Sequence, residues 1–245
     1  MLSRMLRLIT PAVAAMLLLV ALAGCTMGPM EVVTGSGNLI EENRNLSGFS
    51  RIELSGMGML VLTQDGTESV VVEGEDNIVA RIRTDVSGDT LRIRTEDNVN
   101  LNPTKDLIYR VNVSEIERVT MSGAGSLQAG DVRAGSLELQ SSGAGNVNIE
   151  TLTAEELRVS ISGVGNVMIR GSATRQQVTL SGVGSYQAPD LDTTEATVKI
   201  NGAGGAIVRV SDRLNVEISG AGSVTYIGDP QVEQKISGAG RVSKR

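Results

Sequence analysis

Ser122-Gly123-Ala124-Gly125 is the stretch around which the chain is organised. It returns as Ser142-Gly143-Ala144-Gly145, Ser162-Gly163-Val164-Gly165, Ser181-Gly182-Val183-Gly184, Asn201-Gly202-Ala203-Gly204, Ser219-Gly220-Ala221-Gly222 and Ser237-Gly238-Ala239-Gly240. Successive copies stand 20, 20, 19, 20, 18 and 18 residues apart. Self-similarity at a fixed period of this size marks a solenoid, in which a repeat buries its apolar face only by stacking on the next. An outlying copy, Ser55-Gly56-Met57-Gly58, lies 67 residues before Ser122, an interval several coils long whose register the sequence leaves open.

The positions around the tetrapeptide give the path of one coil. The residue before it is Met121, Ser141, Ile161, Leu180, Ile200, Ile218 or Ile236, and three before it stand Val119, Leu139, Val159, Val178, Val198, Val216 and Gln234. Five after its first residue come Leu127, Val147, Val167, Tyr186, Ala206, Val224 and Val242. Apolar residues thus alternate with polar ones on both sides, the period of half-buried strands. The expected fold is all-β, a parallel β-helix or β-solenoid with coils of about 18–20 residues marked by Ser-Gly-Ala/Val-Gly turns. The glycines are expected to supply the backbone angles of a sharp corner and to let neighbouring coils stack closely. The leading serines either line their hydroxyls in a ladder or serve as small turn formers.

Outward positions test the stacking. Arg118, Glu138 and Arg158 stand four before successive copies, and Lys199, Glu217 and Lys235 two before. In parallel coils ~4.8 Å apart these become neighbours of alternating sign, each pair contributing roughly 0.2–1 kcal/mol.

Composition agrees with a narrow core. The chain of 245 residues has 2% aromatics, no Trp and 29 Gly, and Val, Ile and Leu can fill a solenoid interior without large rings. With no His, the commonest general base and metal ligand is missing. The single Cys, Cys25, forms no internal disulfide. A net charge of −6, lowered to −8 when Arg4 and Arg7 leave with a leader, argues against nucleic acid as a partner.

Residues 1–24 read as an export signal: Arg4 and Arg7, an apolar run from Leu8 to Leu22, then Ala23 and Gly24. Such a run reaches only ~22 Å against a hydrocarbon core of ~30 Å. Leu22-Ala23-Gly24-Cys25 looks like a bacterial lipobox, so Cys25 is expected to carry lipid and to anchor the chain in the membrane. Thr26 rather than Asp follows it, which in a Gram-negative host implies the outer membrane. Residues 25–46 are expected to be the lipidated cysteine and a flexible tether, and 47–245 the β-helical domain. Between Ser47 and Val113, short alternating strands are expected, with a charged turn at Glu75-Asp76-Asn77, a strand over Ile78 to Ile82 and a polar break at 95–106 around Pro103.

No catalytic constellation stands out. Gly123-Ala124-Gly125 lacks the third glycine and following helix of a dinucleotide loop, and the tetrapeptide has no Asp with which to bind calcium. Parallel β-helices include carbohydrate lyases and hydrolases, whose chemistry needs clustered carboxylates. The candidates are Asp190 and Asp192, Asp229, and the Glu-Asp-Asn triplets at 75–77 and 96–98, each also readable as a solvated turn. Phe49, Tyr109, Tyr186 and Tyr226 are isolated and offer no platform for sugars. Arg241, Lys244 and Arg245 make the last coil basic, as a polar cap or as a contact for anionic lipid.

The tandem Ser-Gly-Ala/Val-Gly turns, the opening Phe49-x-x-Ile52-x-Leu54-Ser55-Gly56, and Val70-Val71-Val72-Glu73-Gly74 followed by Asn77 resemble the bacterial family called putative auto-transporter adhesin, head GIN domain. The resemblance covers about residues 47–228. It implies a β-helix-like fold in exported proteins, often lipoproteins, and it brings no catalytic, cofactor or metal residues. The resulting expectation is a non-enzymatic, lipid-anchored envelope protein that binds a glycan or protein partner. A polysaccharide-acting enzyme and a structural or signalling partner of another envelope protein are the alternatives.

Overall fold

The computed structural model describes residues 30–245. The expected export signal, residues 1–24, and Cys25 lie outside the described residues. The described residues are 73% strand and 2% helix, and their larger part is a parallel β-solenoid of about six turns.

Five long strands, β9 (Arg118–Ser141), β10 (Val147–Ile161), β11 (Val164–Leu180), β12 (Val183–Ile200) and β13 (Gly205–Ile218), stack in that order, each parallel to the next. The last rung is made by β14 (Ser223–Ile227) and β15 (Gln231–Ile236), both on β13, with β16 (Arg241–Lys244) on β14. Register places like on like: Val147 lies beside Leu127 and Val167, and Val198 beside Val178 and Val216. These inward columns are buried from Val119 to Val224, and each fully buried Val, Leu or Ile contributes about 1.5–3 kcal/mol. The alternation read from the sequence is therefore the alternation of core and surface.

The earlier half departs from the expected succession of coils. Strand β3 (Arg51–Gln64) stacks directly on β9, with Ser55 beside Ser122 and Gly58 beside Gly125. The interval between Ser55 and Ser122 contributes one further rung and an end cap instead of several coils. Strands β6 (Thr90–Thr95) and β8 (Ile108–Val113) lie on the other side of β3, parallel to it. On them, β4 (Ser69–Glu75) runs antiparallel to β8, β2 (Leu39–Arg44) antiparallel to β4, and β5 (Ile82–Ser87) antiparallel to β6. A chain that reverses by short turns must pair antiparallel, which ends the parallel stack.

Two sequence expectations are corrected here. Asp76–Val79 forms one helical turn, α1, in place of the start of a strand at Ile78, and buries Ile78 and Val79 in the core. Residues 31–44, expected in a tether, hold two strands: β1 (Glu31–Thr34) pairs with β7 (Val99–Asn102), and β2 with β4. Their apolar residues Val32, Leu39 and Ile40 are exposed. Backbone ladders and polar contacts secure them, which an apolar-periodicity reading does not detect. Chief among the contacts is Glu75, almost fully buried. Its carboxylate accepts from the Thr104 hydroxyl (2.6 Å), the Thr104 amide (2.8 Å) and the Gly37 amide (2.7 Å). These bonds, the Thr104 hydroxyl's first, hold its pKa below the ordinary carboxylate range.

Candidate functional site

The tetrapeptides stack into one ridge along the solenoid. The middle residue of each donates its amide to the first glycine of the preceding coil: Ala144 to Gly123 (2.7 Å), Val164 to Gly143 (2.9 Å), Val183 to Gly163 (3.1 Å) and Ala203 to Gly182 (3.1 Å). A Cβ on Gly143, Gly163, Gly182 or Gly202 would stand 1.7, 1.8, 2.0 or 2.1 Å from the carbonyl oxygen beneath. Glycine is thus required mainly by the approach of one coil to another. The corner angles account for less than expected: within the tetrapeptides, only Gly56, Gly58 and Gly123 have left-handed backbone, at φ 135°, 119° and 107°.

The serines form a broken ladder. Ser122 donates to the Ser55 hydroxyl at 3.1 Å and Ser219 to Asn201 Oδ1 at 2.8 Å, while Ser142 turns to the Met121 carbonyl at 3.4 Å. A more continuous ladder lies one residue past the ridge, at a position the sequence reading did not single out. Asn146 donates its amide to Ser126 Oγ (3.5 Å), Asn166 donates its amide to Asn146 Oδ1 (3.1 Å), and Ser185 donates to Asn166 Oδ1 (2.6 Å). Its signal was present as Ser126, Asn146, Asn166 and Ser185 in the same repeat position.

The two sheets that meet at the ridge differ in charge. On the sheet after it, the first outward column is Ser126, Asn146, Asn166, Ser185, Gly205 and Ser223, and the next is Gln128, Asn148, Met168, Gln187, Ile207 and Thr225. Neither column carries a charge through these six rungs; Arg241 ends the first. Together with exposed Ala124, Ala144, Val164, Val183 and Ala203 on the ridge they make a neutral, amide- and hydroxyl-lined strip.

The sheet before the ridge carries charged ladders. Arg118 bonds Glu138 at 2.8 Å, and Glu217 lies 3.8 Å from Lys199 and 4.0 Å from Lys235, as the alternating signs predicted. A further column, Glu156, Arg175, Glu195 and Arg213, alternates in the same way.

The carboxylates considered for catalysis fall into separate places. Asp190 and Asp192 both face Arg209, at 3.9 and 3.5 Å, and their side chains are 62% and 79% exposed. Asp192 and Asp229 line one open groove of about 710 Å³ with Thr153, Ser172, Thr174 and Arg209; Asp229 also pairs with Lys244. Glu75 and Asp76 belong to the cap. Glu96 accepts from Arg83 at 2.9 Å and Arg81 at 3.2 Å, which hold its pKa low, while Asp97 lies 3.9 Å from Arg94 and Asn98 is a left-handed turn residue. The structure therefore brings Asp192 and Asp229 together around one solvated groove, with Asp190 joined to it only through Arg209, and leaves the two triplets apart.

Inside the same coils runs a buried polar chain. Tyr186 donates to Gln176 Oε1 at 3.0 Å, Gln176 donates to Thr193 Oγ1 at 2.8 Å, and Thr193 donates to the Arg209 carbonyl at 2.6 Å. Burial drives the Tyr186 phenol pKa strongly upward, so it remains a donor. No group of three or more potential metal ligands occurs among the described residues, and no helix among them is long and apolar enough to cross a membrane.

Comparison with known proteins follows this geometry. The sequence model of the family described as putative auto-transporter adhesin, head GIN domain, matches residues 48–230. Among solved structures, a putative adhesin from Bacteroides fragilis superposes with a TM-score of 0.83 at 25% identity, covering 87% of this chain and 100% of its own. Two proteins from Parabacteroides distasonis share the fold at lower identity. One is titled a putative lipid binding protein (TM-score 0.74, 23% identity, 88% and 100% covered). The other is titled a putative adhesin (TM-score 0.69, 22% identity, 88% and 100% covered). No curated protein matches the chain.

Proposed function

Because this chain belongs to the putative auto-transporter adhesin, head GIN domain family, we propose that it is a non-enzymatic, adhesin-like binding scaffold held to a bacterial envelope through lipid on Cys25. Its binding surface is the neutral strip formed by the glycine ridge and the two columns beside it. One observation carries this reading: the two columns beside the ridge carry no charge through six rungs, whereas the sheet before the ridge carries ladders of alternating sign. A flat strip of Asn, Gln, Ser and Thr with small apolar residues suits a neutral partner, such as an uncharged glycan or a polar protein surface, because it presents donors and acceptors without a charge to desolvate. The family and the Bacteroides fragilis adhesin support binding over catalysis, and the lipobox supports export to the outer membrane in a Gram-negative host.

The test is a pull-down from solubilised envelope with the full chain, alongside binding and turnover on a glycan panel. Saturable binding without turnover is expected, abolished by Asn148→Lys and Gln187→Lys, which place charge on the strip at side chains outside the Asn/Ser ladder. Turnover of a glycan that depends on Asp190 or Asp192 would overturn the reading in favour of an enzyme. Capture of a protein partner unaffected by either lysine would move the binding surface elsewhere.

A further inference from the structure

The last rung leaves a sheet edge unpaired. Among the described residues, strand β15 pairs only with β13, all six of its residues are exposed, and its core-facing Val232 and Ile236 remain 37% and 40% accessible. Free strand edges are templates for another strand unless charge, proline or a bulge blocks them. At the opposite end, β2 carries Glu41 and Glu42 at its centre, so a second copy of β2 would meet like charge there. β15 instead carries one charge of each sign, Glu233 and Lys235, which oppose pairing in some registers and favour it in another.

We propose that β15 is a self-association edge, on which a second copy of this chain adds its own β15 antiparallel about a two-fold axis at Gln234. The sequence Val232-Glu233-Gln234-Lys235-Ile236 complements itself in that register. Val232 opposes Ile236 of the second copy, Glu233 opposes Lys235, and Gln234 opposes Gln234. A two-fold axis on Glu233 or on Lys235 would oppose like charges.

The hydrogen-bond parity fits the same register. Ser237 donates its amide inward to the Ile218 carbonyl at 2.9 Å, and the amide and carbonyl of one strand residue point to the same side, alternating along the strand. Hence Glu233 and Lys235 bond toward β13, while Val232, Gln234 and Ile236 present amide and carbonyl to the open edge. In an antiparallel pair centred on a hydrogen-bonded residue, those three residues exchange both bonds with their partners.

Gln234 also occupies the core column held by Val198 and Val216 in the preceding coils. At the axis its primary amide can donate to and accept from its symmetry mate, which a valine cannot do. The basic residues Arg241 and Lys244 lie on the neighbouring strand β16 and confine the contact to β15. Joined this way, the two antiparallel caps lie at opposite poles of the pair. If the chains are anchored as proposed above, this arrangement bridges two facing surfaces; the self-association itself does not depend on that reading.

The test is sedimentation equilibrium of the full chain in detergent, with folding followed by circular dichroism. The parent chain is expected to show a monomer–dimer equilibrium. Glu233→Lys should weaken it about tenfold, because two attractive cross-strand pairs become repulsive. Lys235→Glu should do likewise, and the double variant Glu233→Lys/Lys235→Glu, which restores opposite charges across the axis, should recover parental association. A parent chain that remains monomeric, or a double variant no better than the single ones, would overturn the proposal. Loss of glycan or partner binding with dimerisation intact would count against the strip and leave β15 standing.

Discussion

Replacing Gly163 by alanine adds one methyl group and should cost this protein as much as truncating a core side chain. The new Cβ would lie 1.8 Å from the Gly143 carbonyl oxygen and 2.8 Å from its carbon, whereas ordinary contact begins near ~3.5 Å. The 162–165 ridge must then lift by roughly 1.5 Å from the coil beneath, and the bonds joining the two coils there lengthen out of range. Those bonds are Val164 to Gly143 at 2.9 Å and Ser162 to Ser141 at 2.9 Å. Losing two backbone bonds at about 0.5–1.5 kcal/mol each and forcing overpacking of about 1–3 kcal/mol gives a penalty of roughly 2–6 kcal/mol. Urea unfolding followed by far-UV circular dichroism measures it. Gly130→Ala is the matched control, since nothing lies within 4 Å of a Cβ there and its backbone is not left-handed. It should be neutral or stabilising by up to about 1 kcal/mol. If Gly163→Ala proved as mild as Gly130→Ala, close coil approach would not be the reason for glycine on the ridge.

Three further outcomes follow from the same contacts. Tyr186→Phe removes the donor to Gln176 Oε1 and should destabilise by about 1–3 kcal/mol in the same unfolding assay, because the buried acceptor is left unpaired. Glu75→Gln should lower stability at neutral pH, since an amide cannot accept all the bonds that Thr104 and Gly37 donate to the carboxylate. The Glu75 carboxyl is held below its ordinary value, so its contribution is complete above about pH 4.3 and drains as pH falls through the lower folded value. The gap between parent and variant should therefore close in acid, and a gap independent of pH would show that Glu75 does not act as a charged acceptor. Cys25→Ser should leave an unprocessed, unlipidated chain on metabolic labelling with a radiolabelled fatty acid, and normal labelling would refute the lipobox.

The solenoid was legible because one requirement repeats in every coil. Val147, Val167 and Val198 recur at fixed distances from a glycine pair, and a strand buried on one side has no other way to place them. The charge ladders were legible for the same reason, since Glu138 and Glu217 each sit one period from a cation. The cap was not. β2 is paired through its backbone to β4 while Leu39 and Ile40 face solvent, so its apolar residues carry no information about its place. The contact of Ser55 with Ser122 was hidden because the chain between them returns to β3 from its far side, and chain length does not fix the side on which a strand returns. Asp192 and Asp229 meet in one groove only because β12 and β14 flank β13.

The neutrality of the strip needs a cause other than folding. Packing accounts for the ridge, where a Cβ on either glycine of most copies meets backbone of the coil beneath. It does not account for Ser126, Gln128, Asn148 or Gln187, whose side chains point outward from the same strands that point Val147, Val167 and Tyr186 inward. The sheet before the ridge has the same parallel spacing and carries Lys199, Glu217 and Lys235 in the column next to the ridge and, farther from it, Glu156, Arg175, Glu195 and Arg213, both in alternating sign. Outward positions of this solenoid therefore accept charge and can gain modest stability from it. Two columns that could carry such a ladder and carry uncharged groups, mostly amides and hydroxyls, instead are under a different constraint, and contact with a partner that would have to desolvate those charges supplies one. The combined variant Asn148→Glu, Met168→Arg, Gln187→Glu separates the two causes. Those three residues are adjacent in register, so they would form a ladder like that of the other sheet. Unfolding should be unchanged within about 1 kcal/mol while partner binding is lost. Loss of folding would instead return the strip to the domain of packing.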